Sequence, residues 1–169
     1  MKEYHSNGVY FGYPENWVIE ESEMNTAAGS VQLTNEDGAF WLLKKYPFGT
    51  NPDEIAKEVL TLMQEEYEDM EVDRFDRIFF DKMVTGFEMT FFYLDLMNFA
   101  TVLCFEQDGL TFAVFWQTGN QLIIRNNESV PIEKVLEAVT LSLLQGPHCK
   151  EQPLQHSCCE HKHESNKNP

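Results

Sequence analysis

Seven side chains of metal-ligating type fall within sixteen positions near the C-terminal end: His148, Cys149, His156, Cys158, Cys159, His161 and His163. Four of the chain's five His and three of its four Cys are in this stretch. Imidazole and thiolate are the preferred ligands of zinc, copper(I) and nickel, and Glu160 adds a carboxylate. The spacing is unlike a structural zinc site. Cys158 and Cys159 are adjacent, so they miss the Cys-x-x-Cys chelate, and His161-x-His163 is tighter than the paired histidines of a finger. The pattern suits a labile chelating tract. A polar tail with fortuitous Cys and His is the competing reading, and redox chemistry of the vicinal thiols is a smaller one.

Other residues of chemical type read more plainly. Cys104 lies in an apolar run with no His beside it, so the expectation is a buried structural thiol. His5 reads as a surface residue. Glu65, Glu66, Glu68 and Asp69 read as a solvated helix end rather than an acid–base pair. Asp73, Asp76 and Asp81 lack the fixed odd spacing and central Gly of a calcium loop. No phosphate-binding loop, dinucleotide fingerprint or nucleophile elbow is present, and residues 1–147 hold a single His. The expectation is therefore a protein that is not an enzyme, with no catalytic or cofactor-binding residues to name.

The elements around these residues follow from the patterning. Val9–Tyr13 reads as a strand stopped by Pro14, and Trp17–Glu20 as extended chain. Ser30–Thr34 and Ala39–Leu43 flank Asp37-Gly38, a hairpin signal because Gly takes positive φ without steric cost. Asn51-Pro52-Asp53-Glu54 is a helix start. Ile55, Val59, Leu62, Met63 and Tyr67 then recur at helical spacing, predicting a helix over 52–70. Three strands follow at 86–94, 99–106 and 110–117. The first two are joined by a turn at Asp95–Asn98, the last two by Asp108-Gly109. A second helix spans 131–145, and Gly146-Pro147 stops it. The three strands are apolar on both faces, which requires covering layers on both sides of the sheet. The predicted fold is α+β: a three-layer α/β/α sandwich around a mainly antiparallel sheet. Trp17, Trp41 and Trp116 are expected in its core.

The opening Tyr10-Phe11-Gly12-Tyr13-Pro14-Glu15-Asn16-Trp17 resembles the aromatic-x-Tyr-Pro-x-x-Trp start of PsbP-like proteins. That superfamily includes the Ran-binding Mog proteins, the DcrB lipoproteins and uncharacterised bacterial members. The order of elements over residues 8–145 is similar too. The resemblance implies the same sandwich and a role in binding or assembly rather than catalysis. No acidic Ran-contact motif, lipobox cysteine or oxygen-evolution residue can be matched, so none of those functions is carried over.

Composition bounds the partners. With 43% hydrophobic and 13% aromatic residues, the chain has enough apolar surface to fill a core. Residues 148–169 hold three Lys and three Glu, so the net charge of -16 lies on residues 1–147. Such a surface disfavours nucleic acid and anionic membranes and favours a neutral or basic protein partner. No apolar run opens the chain, which gives cytoplasmic as the expected location. The organisation expected is a PsbP/Mog-like domain over 1–147 with a disordered Cys/His tail over 148–169. The function expected is a non-catalytic protein-binding or assembly module working through its acidic surface or a groove beside the sheet. The alternative is a metal-handling protein with zinc, copper or nickel on the tail.

Overall fold

The structure, a computed structural model, describes residues 1–119, 122–125 and 128–147. The seven tail residues proposed as metal ligands lie outside the described residues. The chain opens with a hairpin of β1 (Lys2–Ser6) and β2 (Val9–Tyr13). Then come β3 (Val18–Ser22), β4 (Ser30–Thr34), β5 (Phe40–Tyr46) and helix α1 (Pro52–Glu66). β6 (Glu71–Phe79), β7 (Lys82–Tyr93), β8 (Leu96–Gln107) and β9 (Leu110–Gly119) form a meander. The short pair β10 (Leu122–Arg125) and β11 (Glu128–Pro131) precedes α2 (Ile132–Gln145). Seven strands make one antiparallel sheet in the order β3-β4-β5-β9-β8-β7-β6. Among the described residues no helix is long and apolar enough to cross a membrane.

Strand alternation sends the two sets of side chains to opposite faces, and both sets are apolar. On one face Phe87, Met89, Phe91, Ala100, Val102, Cys104 and Ala113 pack under Ile55 and Ala56 of α1. On the other, Val31, Leu33, Trp41, Leu43, Leu103, Phe105, Val114 and Trp116 pack under α2 and under Val9, Phe11 and Tyr13 of the first hairpin. The α+β sandwich read from the two-sided strands is what forms, and all three Trp are buried. The second covering layer has two parts, a helix and a hairpin. Gly12 N–H donates to Ser142 Oγ (2.8 Å) and joins them.

Local chemistry explains the elements. The Asn51 side chain accepts from Asp53 N–H (2.9 Å), and Pro52 occupies the first turn, so α1 begins where the capping residues stand. It ends at Glu66 rather than near 70, because Tyr67 turns extended (φ -121°) and stacks on Phe91 at 4.1 Å. Leu62 is exposed at the margin of the apolar stripe instead of belonging to it. Asp37-Gly38 and Asp108-Gly109 both make the expected hairpins. The turn between β7 and β8 is tighter than expected: Leu94 and Asp95 alone turn, with φ of 50° and 60°, while Leu96–Asn98 are already strand. Strands β1, β6, β10 and β11 were not foreseen.

Candidate functional site

The β7–β8 hairpin ends in a group of solvent-exposed apolar side chains: Phe92, Tyr93, Leu94, Leu96 and Met97. Leu94 is 77% exposed and holds a left-handed backbone. That conformation brings Cβ close to the following carbonyl oxygen, costing about 1–2 kcal/mol for an L-residue, and turns of this kind favour Asn, Asp or Gly. A leucine there is costly twice, in backbone strain and in exposed hydrocarbon. Tyr67 holds the hairpin from below, its ring edge-on to Tyr93 at 6.0 Å. This contact sets the acidic end of α1, with exposed Glu65, Glu66, Glu68 and Asp69, beside the apolar tip. Asp95 at the turn and Asp37 in the neighbouring recess add negative charge.

A second feature is a polar cluster at the start of α1. Arg74 Nη2 donates to Asp53 Oδ1 (2.7 Å), Arg74 Nε to Asp76 Oδ2 (3.2 Å), and Thr85 Oγ1 to Asp76 Oδ1 (2.6 Å). Among the described residues, Thr85 and Asp76 are placed as a nucleophile and a base could be. The Thr85 hydroxyl and then Arg74 hold the Asp76 carboxyl below its usual range, and Lys57 and Arg74 do the same for Asp53. A carboxylate stabilised in this way is a poor proton acceptor. The arrangement ties β6 to α1 and β7 and is a structural brace.

A third is a cleft of about 230 Å3 between α2 and the outer half of the sheet, floored by Phe75, Leu103 and Trp116.

The remaining residues singled out in the sequence fall as follows. Cys104 is fully buried, and desolvation pushes its thiol up to about 12, so it is inert at neutral pH. His5 is exposed and meets the Tyr10 ring edge-on at 6.2 Å. Asp73, Asp76 and Asp81 are all exposed, and among the described residues no group of His, Cys, Asp and Glu is placed to hold a metal ion. His148, Cys149, His156, Cys158, Cys159, His161 and His163 lie outside the described residues. Sequence reasoning passed over the Leu94 tip. The available signal was Tyr93-Leu94-Asp95-Leu96-Met97, a turn whose residues are too apolar for a turn.

The fold and its surface features define an α/β/α sandwich with an exposed apolar loop. No family model matches the chain, and no curated protein does. Among solved structures it is similar to LpqN of Mycobacterium tuberculosis, a protein involved in cell envelope biogenesis. The identity is 9% over 81% of this chain and 82% of that one, with a TM-score of 0.46. PA94 of Pseudomonas aeruginosa, of unknown function, shows 11% identity over 70% of this chain and 82% of that one, with a TM-score of 0.38. Neither likeness carries an argument about function.

Proposed function

We propose that this chain is a non-catalytic binding module that docks a neutral or basic protein through the β7–β8 tip, on a PsbP/Mog-like framework. The observation that carries the reading is Leu94, an exposed apolar side chain kept in a strained turn where a polar residue would cost less. Five exposed apolar side chains at one hairpin end suit an apolar socket. The acidic residues of α1 and the turn suit a socket with a basic rim. The braced Asp76 and the unreactive Cys104 support a role without catalysis. The sandwich and the Tyr13-Pro14-Glu15-Asn16-Trp17 opening support the superfamily reading.

The test is a photo-crosslinking residue in place of Phe92 in the full chain, followed by binding of the purified adduct partner to wild type and to Leu94→Asp. The expected result is a neutral or basic partner whose affinity falls at least tenfold with Leu94→Asp and also falls with salt. An acidic partner, a second copy of this chain, or affinity indifferent to Leu94→Asp would each overturn the proposal.

The tail supports a second reading on its ligand chemistry alone. Residues His148, Cys149, His156, Cys158, Cys159, His161 and His163 would hold zinc, copper or nickel while the folded domain docks the partner.

A further inference from the structure

The cleft beside α2 carries opposite charges at its two ends. The β6–β7 register fixes the floor as three successive rungs on one face: Asp73 with Glu88, Phe75 with Gly86, and Arg77 with Val84. Asp73 and Glu88 are like charges directly opposite each other, which destabilises a sheet. The helix adds Glu137 at the same end, paired with Lys134 at 2.9 Å, and Glu133 is near enough to feel Glu137, Lys134 and Glu88, so the end keeps an excess of negative charge. The direction of α2 is set at the other end, where Lys82 Nζ donates to the Leu144 carbonyl (2.6 Å). Arg77 stands at that end with its guanidinium 5.8 Å from the centre of the Phe75 ring.

Among the described residues neither Glu88 nor Arg77 forms an ion pair. They cannot neutralise each other, because four residues of strand separate their rungs, about 13 Å. Between them the surface is apolar: Phe75, Leu103 and Trp116 below, Leu141 and Leu144 on the helix side. An acidic end, a greasy floor and a cationic end, in line, are complementary to an extended chain of the reverse pattern. Alternate residues of an extended peptide face one way, and four residues span the same distance of about 13 Å.

We propose that this cleft binds a linear peptide segment of the form basic-x-apolar-x-acidic. The basic residue would lie over the Asp73–Glu88 rung, the apolar one on Phe75 and Leu103, and the acidic one on Arg77. The inference deepens the protein-binding reading and rests on it only in taking a protein segment as occupant. It uses no residue of the β7–β8 tip.

The probe is acetyl-Lys-Ser-Phe-Ser-Glu-amide, titrated into the isotopically labelled full chain at physiological salt and followed by amide shifts. The comparison peptides end in Lys in place of Glu, or carry Ala in place of Phe. The Lys/Glu peptide should shift Phe75, Glu88 and Leu103 and bind about fivefold tighter than the Lys/Lys peptide, the upper range for an exposed ion pair. Arg77→Gln should abolish that preference and Arg77→Glu reverse it, each checked for an intact amide spectrum. Lys/Lys binding as tightly as Lys/Glu to wild type, a preference unchanged in Arg77→Gln, or shifts away from the cleft would each overturn the proposal. Leu94→Asp should leave this titration unaltered, so the peptide site and the hairpin tip fail or stand separately.

Discussion

The indole Nε1–H of Trp41 on β5 donates to Thr140 Oγ1 on α2 across 3.0 Å, joining residues 99 positions apart in a fully buried contact. The Thr140 hydroxyl donates in turn to the Leu136 carbonyl at 2.9 Å. The hydroxyl therefore accepts from one element and donates within the other. Replacing Thr140 by Val preserves shape but leaves the indole N–H without an acceptor, at a cost of about 1–3 kcal/mol. The urea midpoint should fall accordingly, and Thr140→Ser, which keeps the hydroxyl, should retain most of the stability. A midpoint unchanged in Thr140→Val would remove the pin from the account.

Gly86 is required by close approach of the neighbouring strand. A Cβ there would lie 2.0 Å from the Val102 carbonyl oxygen and 2.9 Å from Phe75 Cζ. Gly86→Ala should cost about 3 kcal/mol, the upper end for overpacking. Adding Phe75→Leu should not rescue it, because the nearer obstacle is backbone. Thermal unfolding of the single and double variants decides the point.

Leu94 sets stability against binding. Leu94→Asn relieves both the left-handed strain and the exposed hydrocarbon, so thermal stability should rise by about 0.5–1 kcal/mol. Affinity for the partner should fall in the same protein. A variant that is neither more stable nor weaker in binding would leave the leucine unexplained.

Cys104 predicts a slope of stability at alkaline pH. Its thiol has an ordinary value of 9.0 and is raised to about 12 by burial and then by Asp53. Above pH 9 the unfolded chain releases the proton while the native state keeps it, so the native state binds more protons. Stability then falls as pH rises from about 9 towards 12, by up to about 1.4 kcal/mol per pH unit. Cys104→Ala should lose this slope. Denaturant midpoints of the two proteins from pH 8 to 10 should diverge, and parallel curves would contradict the assignment.

The Cys/His tract makes a separate prediction. Full-length protein should bind zinc more tightly than a variant carrying Ser at 149, 158 and 159 and Ala at 148, 156, 161 and 163. The affinity should weaken below about pH 6, where imidazole protonates. Equal binding by the two proteins, measured by competition with a chelating dye, would make the tract chemically incidental.

The two-sided strands Phe87–Phe91, Ala100–Phe105 and Phe112–Trp116 were legible because burial on both faces leaves no polar alternation. The layers above and below followed from that alone. β6 was not legible for the opposite reason. It is an edge strand whose apolar residues, Val72, Phe75, Ile78 and Phe79, are split between faces and interrupted by Asp73, Arg74, Asp76 and Arg77. β1 was missed although Asn7-Gly8, with φ of 48° and 79°, is the strongest short hairpin signal in the chain. A groove beside the sheet was an expectation of the sequence, but the place of the cleft and its charges were not legible. Its charges come from β6, β7 and α2, and only the register between Asp73 and Glu88 brings them to one face.

The sheet ends at β3 on one margin and β6 on the other. The β3 margin carries Glu20 and Glu21 with no cation on the strand. Two copies approaching margin to margin there would repel before any ladder could form, which guards the native protein against growing into fibres. Exchanging those two glutamates for threonines would keep the strand and discard the guard, and turbidity on standing would then report what the acidity had been preventing.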